Sequence, residues 1–507
     1  MNHTLDTAPL KAGRREWTGL AVIALPCLVY SMDLTVLNLA LPALSTELKP
    51  SASELLWIVD IYGFMVAGFL ITMGTLGDRI GRRKLLLIGA AAFGLASIIA
   101  AFSNSTAMLI AMRALLGVAG ATLAPSTMSL IRNMFHDPHE RQFAIGIWIA
   151  SFSVGAAIGP LVGGVLLQFF WWGSVFLVAV PVMMLLLMLG PSLLPEYRDP
   201  NAGPLDLLSA AQSLLAALSL VLALKWTAEH GPDWPAAALL LVGLSIAWAF
   251  VRRQRRLSYP LLDLKLFALP RFSAAITAYG LSCLAMMGVY IFITQYLQLV
   301  LGLAPLQAGL ATLPWALSFV AGSLLAPRLA RRWPPVAVVV WGLVVAALGF
   351  GMVSLASGGL LWLVPGTVVM SLGLAPVFTI GNEMIISSAP PERAGAASAI
   401  SETVSEFSAA LGVAVFGSLG GLYYRAQLSN ALPAGLSARD GEASLATLGG
   451  AIAAAEALSS QHGGQAGQQL LGAARAVFTE SLQLSAAAGA LLVLAASVLA
   501  ARIFRGR

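Results

Sequence analysis

The sequence predicts an all-α polytopic membrane protein, and three observations carry that prediction. First, the 507 residues are 58% hydrophobic and only 10% charged, against about 25% charged in a typical soluble chain. So little charge cannot solvate the surface of a chain this long. Second, the apolar residues fall in runs of about 20, the length a helix needs to cross the hydrocarbon core. Third, those runs are rich in Leu, Ala, Val and Gly and do not alternate in polarity, which excludes barrel strands. Cys27 and Cys283 lie far apart in apolar stretches, and His136, His139 and His230 sit in short polar connections. Neither a disulfide framework nor a metal site is expected, and no cofactor.

Taken in order, the runs are 17–41, 55–76, 85–103, 107–130, 143–167, 173–193, 205–226, 235–252, 272–301, 306–327, 336–355, 360–386, 395–423 and 481–503. The basic residues orient these fourteen spans. With both termini cytoplasmic, 23 of the 29 Lys and Arg lie on the inner side. Lys49, Lys225, Arg425, Arg439 and Arg475 fall outside, and Arg113 alone falls well inside a span. A span count wrong by one in the middle would destroy this bias. The net charge of +6 is therefore a matter of orientation, and no nucleic-acid partner is expected. Lys11, Arg14 and Arg15 precede the first run as they would in a signal peptide. That run is too long, contains Asp33 and lacks a clear small-residue cleavage site, so an uncleaved anchor is expected.

The chain repeats itself weakly. Gly74-Thr75-Leu76-Gly77-Asp78-Arg79-Ile80-Gly81-Arg82-Arg83 aligns without a gap on Ser323-Leu324-Leu325-Ala326-Pro327-Arg328-Leu329-Ala330-Arg331-Arg332, at an offset of 328 − 79 = 249. The same offset lays span 1 on span 9 and span 4 on span 12. The expected organisation is a six-helix bundle over 1–200, a two-helix insert over 201–256, and a second six-helix bundle over 257–507. The last includes an outer segment, 424–480, expected either to cap the external mouth or to be flexible and dispensable. Transporters are commonly built from repeated halves with the substrate site between them.

Four stretches give the chain a family resemblance. Gly74 to Lys84 resembles the signature loop between spans 2 and 3 of the major facilitator superfamily. Leu109-Ile110-Ala111-Met112-Arg113-Ala114-Leu115-Leu116-Gly117 is similar to its span-4 motif with a buried arginine. Gly155-Ala156-Ala157-Ile158-Gly159-Pro160-Leu161-Val162-Gly163-Gly164 resembles the span-5 antiporter motif. Met32-Asp33-Leu34-Thr35-Val36-Leu37-Asn38-Leu39-Ala40-Leu41-Pro42 resembles the span-1 motif of the fourteen-span group. The chain is thus similar to fourteen-span drug:proton antiporters of the QacA and SmvA type, a narrower likeness resting on Asp33, Trp57, Asp60, Tyr62, Glu402 and Glu406. The resemblance implies a bacterial cytoplasmic (inner) membrane protein, a monomer, exporting quaternary ammonium compounds, dyes and other cationic biocides such as bisbiguanides.

Each motif also has a physical reading. Gly155, Gly159 and Gly163 recur every four residues and share one helix face, which permits close helix approach. Pro160 removes a hydrogen bond and bends the helix. With Gly164 they suggest a sealing hinge between the halves, the alternative being ordinary packing. In the signature loop, Gly74 and Gly81 permit close packing. Asp78 is placed near the start of span 3, where a carboxylate can meet a helix amino terminus and nearby guanidinium groups. Asp78, Arg79 and Arg82 are assigned to gating, with a pure topology role for the arginines as the alternative.

The charges within spans are the most informative residues. Asp33, Asp60, Glu402 and Glu406 would together cost about 10–14 kcal/mol facing lipid, so a wet or protein-lined interior is expected. Glu402 and Glu406, four apart, share one face of span 13. Arg113 needs a carboxylate, and Asp33 is the expected partner, which leaves three of the four acids without a fixed cation. Carboxylates crowded in such a cavity can hold protons or an organic cation but not both fully, the simplest basis for exchange. The alternative for each acid is a satisfied helix–helix hydrogen bond, favoured for Glu383 and Asp206. Apolar cations also need π faces. Tyr30, Trp57, Tyr62, Trp148 and Phe407 are candidates, although most Trp in a membrane chain are interfacial anchors. Met286 and Met287 could add lining, or simply pack.

The function expected is therefore a proton-coupled exporter of amphipathic cations, with protons, lipophilic cations and membrane lipid as partners. Export of an endogenous lipid, siderophore or metabolite is the alternative. A membrane enzyme or receptor is disfavoured, because no nucleophile–base pair, metal-spaced His cluster or Walker sequence is present.

Overall fold

The computed structural model describes residues 11–198, 206–231, 233–257, 260–355, 359–389, 394–433, 436–462 and 465–505, and among them the regular structure is helical. The boundary expected at 200/201 lies outside these residues.

The first half comprises α1 (Arg14–Leu48), α2 (Ala52–Ile80), α3 (Arg82–Ala101), α4 (Thr106–Gly120), α5 (Leu123–Met134), α6 (Pro138–Phe169), α7 (Ser174–Leu177) and α8 (Ala179–Leu193). The insert is α9 (Leu207–His230) and α10 (Trp234–Gln254). The second half comprises α11 (Pro270–Gln295), α12 (Pro305–Arg332), α13 (Pro335–Val353), α14 (Leu360–Ser387), α15 (Ala394–Ser429), α16 (Ala438–Ala446), α17 (Leu448–His462) and α18 (Gln465–Arg505). Among the described residues thirteen helices are long and apolar enough to cross a membrane, with α4 and α5 joined as one span. The bent pair Phe143–Ala156 and Ile158–Phe169 within α6 makes fourteen when read as a single span. That 41° bend falls one turn before Pro160, where its missing N–H leaves the helix ladder open.

The repeat suggested by sequence is a repeat of packing. In the first half α1 packs on α6, α2 on α4, and α3 on α8. In the second, α11 packs on α15, α12 on α14, and α13 on α18. One contact repeats almost atom for atom. A Cβ added to Gly155 would lie 2.1 Å from the Leu28 carbonyl oxygen, and one added to Gly412 would lie 2.2 Å from that of Leu284. Glycine at each lets the fifth helix of its half touch the backbone of the first. The halves meet along two seams, α2 against α15 and α6 against α12.

The outer segment is shorter than expected, and its described residues are largely helical. α15 runs on to Ser429 and α18 begins at Gln465, with α16 and α17 between them. Gly449 of α17 sits against Ser45 of α1, and Gly467 of α18 against the Ala455 carbonyl, so this segment caps one end of the bundle. The insert is a helical hairpin pinned at both ends. Arg253 donates to Asp206 at 2.9 Å and to Ser209 at 3.1 Å, and Trp226 donates to Asp233 at 3.0 Å. Partial burial pushes the Asp206 carboxyl up, but hydrogen bonds from Ser209 and Arg253 outweigh it and hold the group below its usual range.

Candidate functional site

The charged residues inside the bundle form three separate centres. In the first, the Arg113 guanidinium on α4 pairs through Nη1 with Asp33 on α1. Its Nε donates to the Ile58 carbonyl at 3.0 Å, and its Cζ lies 4.6 Å from the centre of the Tyr62 ring. Both charged side chains are buried, at 1% and 9% exposure. A planar guanidinium can hold a carboxylate, a carbonyl and a ring face at once, which fits it to a dry site.

The second centre corrects the sequence reading. Lys225 is not in an outer loop. It lies on α9, fully buried, with Nζ 2.9 Å from Oδ2 and 3.2 Å from Oδ1 of Asp60 on α2. The same ammonium sits 3.8 Å from the centre of the Trp57 ring. Arg113 is therefore not the sole cation inside a span, and Asp60 is not an unpaired acid. Lys225 was misplaced because it stands five residues before the end of α9, where a lysine reads as the edge of a loop.

The third centre is the pair Glu402 and Glu406 on α15. Among the described residues neither has an ion-pair partner. Glu406 accepts a hydrogen bond from the Tyr30 hydroxyl at 2.9 Å, across the two halves. Glu402, one turn away, is exposed, as is Glu383 on α14. Two of the four acids, not three, are thus without a fixed cation.

Glu406 borders a central cavity of about 350 Å³. Its walls are mainly apolar and aromatic: Tyr279, Tyr290, Trp315, Phe319 and Phe378 from the second half, with Met286 and Met287. These five aromatics were missed in the sequence, where nothing marks them out from packing residues. Of the aromatics expected as lining, Tyr30 reaches the site through its hydroxyl. Tyr62 is fully buried behind it, with ring centres 6.0 Å apart. Trp148 donates to Thr127 at 2.9 Å and stacks edge-on against Phe152 within the first half. Trp57 and Phe407 face α9 instead, Phe407 packing 5.8 Å from Phe64. These placements correct the expectation that all five line one cavity: the seam with the insert also needs aromatic filling.

The cavity is shut at the end of the bundle far from the termini. There a Cβ on Gly164 would lie 2.8 Å from Leu306 Cα, and one on Gly309 would lie 2.5 Å from the Pro160 carbonyl. Gln298 also donates to the Leu39 carbonyl at 3.0 Å. The three spaced glycines, Gly155, Gly159 and Gly163, face Leu28, Thr35 and Val36 of α1 within their own half. Gly164 and Pro160 meet the other half. Toward the opposite end lie the exposed Glu402 and Glu383.

In the signature loop Asp78 makes the expected guanidinium contact, while another carboxylate takes the helix amino terminus. Asp78 lies in the last turn of α2 and pairs with Arg82, four residues on. Arg82 also donates to the Pro125 carbonyl at 3.3 Å, while Arg79 is exposed. The carboxylate at the amino terminus of α3 is Glu196, which accepts from the Arg83 backbone N–H at 3.1 Å. Gly81 has φ +112°, a conformation that favours glycine, and it lies against the Glu196 carboxylate. Gly74 is less demanding, its nearest neighbour being Pro125 at 3.7 Å.

A family model, the Major Facilitator Superfamily, matches residues 23–413. The chain belongs to that superfamily. Within it, the chain is 45% identical over 493 residues to the multidrug efflux pump LfrA of Mycolicibacterium smegmatis, covering 97% of each chain. It is 36% identical over 486 residues to the methyl viologen resistance protein SmvA of Salmonella typhimurium, covering 95% of this chain and 97% of that one. Among solved structures, a bacterial homolog to the human lysosomal transporter Spinster, inward-facing and unoccupied, matches with TM-score 0.68. It is 17% identical and covers 97% of this chain and 98% of its own, which shows the superfamily fold. The protein is a multi-pass transporter of the bacterial inner membrane and not an enzyme.

Proposed function

We propose that this superfamily member exports amphipathic, cationic drugs and biocides, including quaternary ammonium compounds, in exchange for protons. The observation that carries the reading is Glu406: a carboxylate without a fixed cation, held by one tyrosine hydroxyl, on the wall of an aromatic and methionine-lined cavity. Such a wall takes flat or bulky apolar cations through cation–π and thioether contacts without demanding one shape. The carboxylate supplies the charge selection, and holds a proton when no cation is present. Glu402, one turn nearer the opening, is the entry acid. Asp33 with Arg113 is a fixed pair that positions α1 and Tyr30. The relatives support the reading, since LfrA is named a multidrug efflux pump and SmvA for resistance to methyl viologen, a dication. With both termini cytoplasmic, the closed end of the cavity faces outward and the open end faces the cytoplasm, where export begins.

The test is ethidium efflux from cells expressing the protein. Efflux is expected to stop when the proton gradient is collapsed, and Glu406→Gln is expected to lower its rate at least tenfold with normal membrane insertion. Efflux that persists without the gradient, or that Glu406→Gln leaves unchanged, overturns the reading.

A further inference from the structure

The seam between α2 and the insert is organised around one buried cation. Trp57, Asp60, Phe64 and Gly68 lie at spacings of three and four along α2 and so share one face. Leu214, Leu218, Val221 and Lys225 do the same on α9, which packs against α2. The two faces interlock from end to end. Leu214 fills the space where Gly68 has no side chain, with a Cβ distance of 3.0 Å. Phe64 packs with Val221 and Leu218, and Lys225 closes the row on Asp60 and Trp57. On its other side α9 meets α15 through apolar contacts alone in this cluster: Phe407, Ala410, Leu411 and Ala414. The ion pair runs to the first half, and apolar side chains face the second.

A carboxylate with an indole face 3.8 Å from the bound ammonium has the make-up of an alkylammonium site. Here the ligand is part of the chain. We propose that Trp57 and Asp60 form a cation-binding cage permanently occupied by the Lys225 ammonium, which latches the insert to the first half and withdraws Asp60 from ion exchange. The insert then moves with α2 and slides on α15 as the halves rock. Exchange is left to the acids of α15. The transport arm of this proposal rests on the efflux reading above; the cage itself does not.

Two experiments separate the two. In the first, purified Lys225→Ala protein is melted in detergent with and without butylammonium, an alkylammonium of the lysine side chain's own length. The variant is expected to melt lower than wild type and to regain at least half of the loss at saturating butylammonium, with no shift for wild type or for Asp60→Asn/Lys225→Ala. No recovery, or equal shifts in all three proteins, overturns the cage. In the second, the neutral pair Asp60→Asn/Lys225→Met is compared with each single variant. Removing one member strands a buried charge, whereas removing both need not destabilise. Each single variant is expected to lose at least tenfold in ethidium efflux. The double variant is expected to recover to within threefold of wild type, with an unchanged number of protons released per cation bound. A double variant that inserts and melts normally but does not transport, or that releases fewer protons, makes Asp60 an exchanging acid and overturns the proposal. If the double variant does not fold, the butylammonium experiment decides.

Discussion

Two kinds of buried acid coexist in this protein, and single residues tell them apart. Asp33 and Asp60 each carry a dedicated cation, whereas Glu406 has a hydroxyl and an open cavity. The distinction makes opposite demands on substitution. Arg113→Met leaves Asp33 unpaired in a dry site that also loses the bond to Ile58, at a cost of about 3–5 kcal/mol. Glu406→Gln keeps a hydrogen-bonding group beside Tyr30 and costs about 1 kcal/mol or less. Melting in detergent is expected to show a large drop for the first and a small one for the second, with efflux lost in both. Arg113 was legible in the sequence because it is an arginine in mid-run, and Asp33 because it is a carboxylate within the first span. Lys225 was not. Hydropathy treats a lysine near the end of an apolar run as loop, and only the position of α2 shows that it has a carboxylate to reach.

At the scale of elements, the glycines of α6 set how closely the first half can close on itself. A Cβ on Gly155 or Gly159 would strike a carbonyl or hydroxyl of α1 at 2.1 Å, whereas one on Gly146 meets nothing within 4 Å. Gly159→Val is therefore expected to abolish efflux and lower the melting temperature. Gly146→Ala should leave both unchanged, as measured side by side on membranes with matched protein content. The four-residue spacing was readable in the sequence, since it follows from helix geometry alone. The partner was not, because a glycine face has no chemistry that names what it touches. The same limit applies to α9: its stripe of Leu214, Leu218 and Val221 reads as lipid-facing until Gly68 and Phe64 are set against it. The span limits shifted most at α18, where a polar, Ala-rich stretch starts the helix at Gln465, and next at α1, which runs on to Leu48.

Across the whole molecule, charge sorting and the repeated packing of the halves describe one transporter. Among the described residues, the charges buried in the spans are paired, and two acids of α15 stand at or near the cavity without an ion pair. The repeat was faint in sequence, three arginines and a leucine at a fixed offset, yet it reappears as matched helix contacts and as the shared Gly155 and Gly412 approaches. The cavity wall was the least legible part, because Tyr279, Tyr290, Trp315, Phe319 and Phe378 come from three helices that only folding brings together. The central claim is that protons and organic cations compete for the α15 carboxylates. The most direct test is the pH of a weakly buffered solution of purified protein on addition of tetraphenylphosphonium. Wild type is expected to release protons as the cation binds, and Glu402→Gln/Glu406→Gln to release none. A double variant that releases as many protons as wild type, or a wild type that binds the cation without releasing any, would contradict the account.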